Sequence, residues 1–522
     1  MKKIHFLLYL ISKLAMSQVP TKDWDKTVGG NAYDYATAIV AANDGGFLIL
    51  GSSSSGISGD KTEANRGGVN EFGFPNNDYW AVKLNSLGQK EWEKTYGGNG
   101  EDFATAAVAT SDGGFILAGY SNSGISGEKT QASKGGNDFW IIKISSTGQP
   151  IWDKSIGGSG RDEARAITSV SDGGFVIAGD SNSDISGDKT EDNPSSHVYG
   201  DMWVVKINGA GTKIWDKQIS GPGFDNSRSI VSTTDGGFLI LGNSDSVIGY
   251  DKTESNRGVW DFWIIKLNNS GQILWDKTIG GNHSDVPYSL VPTNDGGFAI
   301  LGHSSSDISF EKSEANFGSD DYWLVKINSS GIKEWDKAFG GTGYERPRVV
   351  VALQDGSFIL AGSSESPISG SKTESPIGGE DIWLVGVNNL GQKLWDKTIG
   401  STFTDYANAL SKSVDGGLVI TGISEGPISG DKTEIGIGNY DYWTLKFVIS
   451  TAIFESITTG NWNVGSTWIS PTNTLLPTAT KTAKINSSNI VTVPNTGNQV
   501  KNIQMNGGVI NLNGGTLEIK NQ

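Results

Sequence analysis

Residues 24–47, WDKTVGGNAYDYATAIVAANDGGF, and residues 78–83, DYWAVK, open and close a unit that recurs until Lys446. The first tryptophan of the unit falls at 24, 92, 152, 215, 275, 335 and 395, and the second at 80, 140, 203, 263, 323, 383 and 443. That makes seven copies, at steps of 68, 60, 63, 60, 60 and 60 residues. A near-constant period of this size, rich in strand signals and poor in helix signals, marks a repeat architecture whose unit is one supersecondary block.

Each copy reads as four strands. The WDK segment, as in Ile273 to Ile279, roughly alternates apolar and polar residues, the pattern of a half-exposed strand. A GG-type loop follows, closed by an acid at Asp34, Asp102, Asp162, Asp225, Asp285, Glu345 and Asp405. The next segment is thin, with Ala36 and Ala38, Ala104 and Ala106, or Ser227 and Ser229 at alternate positions, which suits a crowded place near an axis. Asp-Gly then signals a tight hairpin, because glycine takes positive φ without steric cost. It leads into strands such as Phe115 to Ala118, apolar on both faces. The longest loop carries Lys followed by Thr or Ser and ends at an Asp found in every copy, from Asp78 to Asp441, ahead of the Asp-x-Trp strand. The repeated Lys and Thr are expected to satisfy that Asp as a loop clamp.

Four strands repeated seven times predict an all-β chain folded as a seven-bladed β-propeller. The chain enters at a WDK strand with no Asp-x-Trp strand before it, and the repeat ends at Asp441 to Phe447 with no WDK strand after it. Pairing the strand of Trp443 with that of Trp24 would complete the seventh blade from both ends and close the ring. From about Ile449 the pattern stops, and stretches such as VINLNGGTLEI, residues 509–519, suggest the start of a β-helix or a sandwich. The expected divisions are a signal peptide over 1–17, the propeller over 18–449 and a β-rich segment over 450–522. With no visible cap before Gln522, the natural product is expected to run further.

The repeated DGGF, Asp-aromatic-Trp and Lys pattern resembles that of bacterial secreted β-propeller repeat proteins, over about Trp24 to Phe447. The resemblance implies an exported or surface protein, often from the Bacteroidota, and no particular activity, since fold does not fix function.

Lys2 and Lys3 precede a mostly apolar run from Ile4 to Leu14, with Ala15 and Ser17 at the positions a signal peptidase reads. A secreted or cell-surface protein starting at Gln18 is expected, without membrane insertion of the mature chain, since the run is too short to span a bilayer. A formal charge of −16 argues against nucleic acid or an anionic membrane as partner. The chain has no cysteine, which excludes disulfides, thiolate metal sites and cysteine nucleophiles.

Most candidate chemistry is periodic and reads as scaffold. Fourteen of the 17 tryptophans belong to the repeat, leaving Trp260, Trp462 and Trp468, and the repeated ones are expected to pack between blades. The acidic loops lose their acid at Ser371 and always follow it with Lys, so calcium is the weaker reading. His197, His283 and His303 lack ligand spacing and are read as residues of different loops. Gly422-x-Ser424-x-Gly426 matches a nucleophile elbow on paper, but no helix signal follows it. No catalytic residue, metal ligand or cofactor is assigned.

A binding site on a symmetric scaffold should break the symmetry. Three residues past each loop acid the copies read Thr37, Thr105, Arg165, Arg228, Tyr288, Arg348 and Asn408, between neighbours that stay small or apolar. The candidate ligand-binding residues are therefore Arg165, Arg228, Tyr288, Arg348 and Asn408, near one mouth of the channel. Arginines there suit an anionic ligand such as a carboxylate-bearing glycan, unless they pair with local acids such as Glu163 and Glu345. The function expected is a non-enzymatic binding or surface-interaction module, with a glycan or a surface protein as partner. The rivals are a polysaccharide lyase or glycoside hydrolase on a propeller scaffold, and a structural spacer.

Overall fold

The structure, a computed structural model, describes residues 19–69, 73–194 and 200–449, together with the backbone of short strands between 453 and 519. Residues 1–18, where the signal peptide is expected, lie outside the described residues, as does His197. Lys22–Phe447 forms one compact unit. It is a seven-bladed β-propeller of seven four-stranded antiparallel sheets.

In the first blade the strands Asp34–Ala41, Phe47–Ser53, Asp78–Leu84 and Lys90–Tyr96 lie side by side in chain order. The thin strand is innermost, and the innermost strands of neighbouring blades pack on one another. The WDK strand is outermost. Since the strands alternate in direction, the acid-closed loop and the Lys-Thr loop emerge at the same face, and both hairpins emerge at the opposite one. The two middle strands are buried along nearly their whole length, as their two-sided apolar pattern requires.

The last sheet confirms closure by both ends of the propeller. Its order is Thr21–Val28, Asp441–Val448, Leu418–Ser424, Asp405–Lys412, so the entering WDK strand pairs with the final Asp-x-Trp strand. Asp25 accepts from Trp443 Nε1 at 3.1 Å and from Thr433 N and Oγ1 at 2.9 Å each. Within the second blade, Asp153 holds Trp140 Nε1 and Thr130 in the same way. The seam therefore reproduces the bonding of a blade made from one stretch of chain.

The two tryptophan sets have different tasks. The seven at 80 to 443 are fully buried and reach the preceding blade, as in Phe139 to Trp203 and Tyr442 to Trp80, both with ring centroids 4.9 Å apart. The WDK tryptophans lie at the outer side and pack under the third-to-fourth-strand hairpin of the following blade. Gly148, at φ +76°, shows why that hairpin needs glycine: a Cβ there would also meet the Trp92 ring at 3.0 Å.

The loop clamp differs from its expected wiring. The threonine goes to the acid of the outer WDK strand, whereas the Asp that opens the third strand accepts an upstream backbone amide, four residues away in most blades, as Asp138 does from Lys134 N at 2.8 Å, and twelve away for Asp78. The lysine lies over the buried tryptophan, Lys252 Nζ being 4.7 Å from the Trp263 ring centroid. Sequence spacing gave the participants, but two acids are within the loop's reach and only packing selects between them.

Burial sets the charges of these groups. It raises Asp78 to about 8, against the hydrogen bond that the Arg66 amide donates to it, and raises Asp138 and Asp261 to about 6 and Asp321 to about 7. It lowers Lys61, Lys129, Lys189 and Lys252 to about 8 despite nearby carboxylates.

In the C-terminal segment most of the described ladders are parallel, and Ile453–Ser456 pairs with Trp468–Ile469 antiparallel. Thr482–Asn486 pairs with Asn502–Asn506, Ile490–Val493 with Val509–Leu512, and Asn498–Val500 with Leu517–Ile519. No helix of the described residues is long and apolar enough to cross a membrane.

Candidate functional site

The position singled out in the sequence has a backbone cause. In every blade the innermost strand slips register against its neighbour at that residue, so that Arg165, Arg228, Tyr288, Arg348 and Asn408 each lack a cross-strand partner. Thr37 and Thr105 occupy the same place in the first two blades. Such a bulge bends the strand and re-aims one side chain. In two blades it sends that side chain to an adjoining blade: Thr105 Oγ1 donates to Ala164 O at 3.0 Å, and Asn408 Nδ2 donates to Ala36 O at 2.9 Å.

The three arginines are not equivalent. Arg165 is held by two buried carboxylates, its Nε donating to Asp180 Oδ2 at 2.9 Å and its Nη2 to Glu163 Oε2 at 2.6 Å. Burial works against the Arg165 charge, and Asp180 and Glu163 more than offset it, holding its pKa above the usual range. Burial also raises Asp180, against the pull of Arg165 and of the Ser227 amide. Glu163 further binds Arg161 and Asn137. The charge of this arginine is thus already met within its own blade.

Arg228 and Arg348 are exposed and form no ion pair among the described residues. They flank Tyr288, with guanidinium carbons 5.9 and 5.1 Å from its ring centroid. Arg228 Nε donates to Asn243 Oδ1 at 2.9 Å. Although the side chain reaches solvent, desolvation by the groups around it lowers its pKa, Asp180 and Tyr288 oppose this, and the charges of Arg165 and Arg348 add to the lowering. Glu345, a suggested local partner, instead accepts from Ser364 Oγ at 2.7 Å. His303 lies on the strand Phe298–Ser304, not in a loop, and its ring is 5.6 Å from that of Tyr288. Burial lowers its pKa, Asp320 opposes this, and Arg348 and Arg228 push it lower still.

Sequence reasoning missed the neighbours of this ring. The residue before the invariant Asp is Asn137, Trp260, Asp320, Glu380 or Tyr440 in different copies, and each stands at the same face. Trp260 meets Phe224 at 6.3 Å, and Glu380 holds Arg346. Tyr440 packs on Tyr33 and Tyr35 at 5.7 and 5.6 Å. A column-by-column comparison of the copies finds these positions by the same symmetry criterion. A pocket of about 320 Å³ opens among Arg161, Arg165, Asp180, Phe224, Asn226 and Trp260, between the third and fourth blades.

Ser424 is buried at a strand end, with its Oγ accepting from Lys432 Nζ at 2.9 Å, and a loop follows it. Among the described residues, no group of three or more His, Asp or Glu side chains is placed to hold a metal ion.

No family model matches the sequence. A curated relative, regulatory protein FlaEY of Caulobacter vibrioides, is 22% identical over 228 residues, 41% of this chain and 24% of that protein. The match thus spans about a quarter of that relative's length. Similar solved structures include a protein of unknown function from Dyadobacter fermentans, 10% identical, covering 82% of this chain and 99% of that one with a TM-score of 0.43. The Pan2 WD40 domain of Neurospora crassa is 10% identical, covering 80% and 95% with a TM-score of 0.43. Neither bears on function.

Proposed function

We propose that the chain is an exported, non-enzymatic binding module that takes an anionic group, such as the carboxylate of an acidic glycan, between Arg228 and Arg348. The observation that carries this reading is the pair itself: two exposed guanidinium groups on one ring, flanking Tyr288, without a carboxylate partner among the described residues. In a protein of net charge −16 they form a local cationic exception, and the guanidinium fork matches a carboxylate in two hydrogen bonds. The non-enzymatic part rests on where the strongly shifted acids lie. Asp78, Asp138, Asp261 and Asp321 are buried and recur around the ring, which suits scaffold rather than one active site. Export rests on the Lys2 to Gln18 pattern and on the resemblance to bacterial secreted β-propeller repeat proteins.

The test is titration of the full chain with uronic-acid oligosaccharides, beside an Arg228→Ala/Arg348→Ala variant. We expect the variant to bind at least about tenfold more weakly, a loss of about 1.4 kcal/mol, with its melting unchanged. Equal binding by both proteins, or none by the wild type, would overturn the assignment. Arg165 stays in place, because its removal would leave the buried Asp180 without its ion-pair partner.

A further inference from the structure

The pocket between the third and fourth blades differs in kind from the arginine pair beside it. Its charges are already balanced: Arg161 and Arg165 lie against Glu163 and Asp180. Several polar groups nevertheless remain unused. The Nη1 of Arg161, the Nη1 of Arg165 and the Asn226 carboxamide make no hydrogen bond among the described residues. Asp180 accepts one bond at each oxygen, from Ser227 N and Arg165 Nε, and a carboxylate oxygen has room for a second. Opposite them stand Phe224 and Trp260, tilted 40° to each other. Trp260 is the tryptophan of the propeller that the repeat does not account for, and it is half-buried, with its carbonyl fixed by Asp285 N.

We infer that this pocket is a subsite for one neutral, hydroxyl-bearing saturated ring, of the kind found in an uncharged pyranose sugar. Three observations lead to that chemistry. The two aromatic rings touch at 6.3 Å, so no parallel slot is left to sandwich a flat ring, and a ligand lies on an aromatic face. A saturated ring offers C–H groups to that face and hydroxyls around its edge, and amphipathic contact of this sort is what Trp supports. The polar wall mixes guanidinium and amide donors with carboxylate and amide acceptors, and Glu163 behind it and Asp180 within it offset the two guanidinium charges, which suits hydroxyls, as each both donates and accepts. The volume of about 320 Å³ lies at the small end of the ligand-site range.

This inference does not need the anionic reading of Arg228 and Arg348. The experiment is ligand-observed saturation-transfer NMR and calorimetry on the full chain, with neutral hexose oligosaccharides and uronic-acid oligosaccharides as separate probes. The variants are Trp260→Ala, Asn226→Ala and Arg348→Ala. Neutral-sugar binding weakened at least about tenfold by Trp260→Ala and by Asn226→Ala, and retained in Arg348→Ala, is the expected result. Asn226 makes no side-chain bond among the described residues, so its variant keeps the test open if Trp260→Ala does not fold. Absence of neutral-sugar binding, or binding that neither pocket variant weakens, would overturn the inference. Uronic-acid binding that only Arg348→Ala abolishes, with no neutral-sugar binding beside it, would overturn the pocket assignment and leave the proposed anion site standing.

Discussion

In six of the seven long loops the lysine meets the same surroundings, a buried indole with carboxylates close by. The bulged residue of each innermost strand meets something different: a carbonyl for Thr105 and Asn408, two buried carboxylates for Arg165, and an aromatic face for Arg228 and Arg348. Both positions recur seven times on one scaffold. The first is constrained by what every blade needs to close against its neighbours. The second is released from that need, because a bulge removes its side chain from the regular ladder. The outer, repeated layer is therefore alike in every blade, and the inner ring differs from blade to blade.

The most severe test of that division is at the seam. Asp25→Ala removes the acceptor for Trp443 Nε1 and for Thr433, leaving buried donors unpaired where the two ends of the propeller meet. At about 1–3 kcal/mol for each stranded donor, we expect a loss of about 4 kcal/mol in denaturant unfolding, with ligand binding at the inner ring unaltered in the fraction that remains folded. A loss below about 1 kcal/mol would mean that the outer clamp does not hold the ring closed.

Arg165→Ala should come next, and it breaks the simple form of the comparison, since this member of the variable ring is paired with buried carboxylates. It leaves the buried Glu163 and Asp180 without their shared cation, which costs about 3 kcal/mol. Chemical denaturation measures it directly.

The dependence on pH is smaller and belongs to the outer layer. Asp78 has a folded pKa of about 8 against an ordinary value of 3.8. The folded state therefore holds this proton more tightly than the unfolded chain between those values, and stability falls as pH rises through the window. From pH 6 to pH 8 the loss attributable to Asp78 is on the order of 1–2 kcal/mol. Asp78→Asn keeps an acceptor for the Arg66 amide and should flatten that part of the profile. Below pH 4 the sign reverses, because Asp25, Asp216, Asp336 and Asp396 have lowered pKa values and lose their charge-dependent bonds as they protonate.

The smallest expected effect sharpens the comparison most. Arg348→Ala removes an exposed side chain that makes no ion pair among the described residues, so the unfolding free energy should move by less than about 0.5 kcal/mol. A larger loss would place Arg348 with Arg165 among the structural residues.

The sequence by itself determined the number of blades, the order of strands within each, the thin innermost strand and the closure by two ends. All of these follow from spacing and periodicity, which are properties of one repeat read against the next. It also singled out the bulged ring, since a position that varies among identical neighbours is visible without coordinates. Only the tertiary structure decided which arginine is neutralised, which acid the loop threonine takes, that His303 stands on a strand beside Tyr288, and that Trp260 meets Phe224 over a pocket. The reason is geometric. A period fixes which blade a residue belongs to, but the direction of a side chain at a bulge, and the neighbour it meets across a blade boundary, depend on twist and packing that the period does not encode.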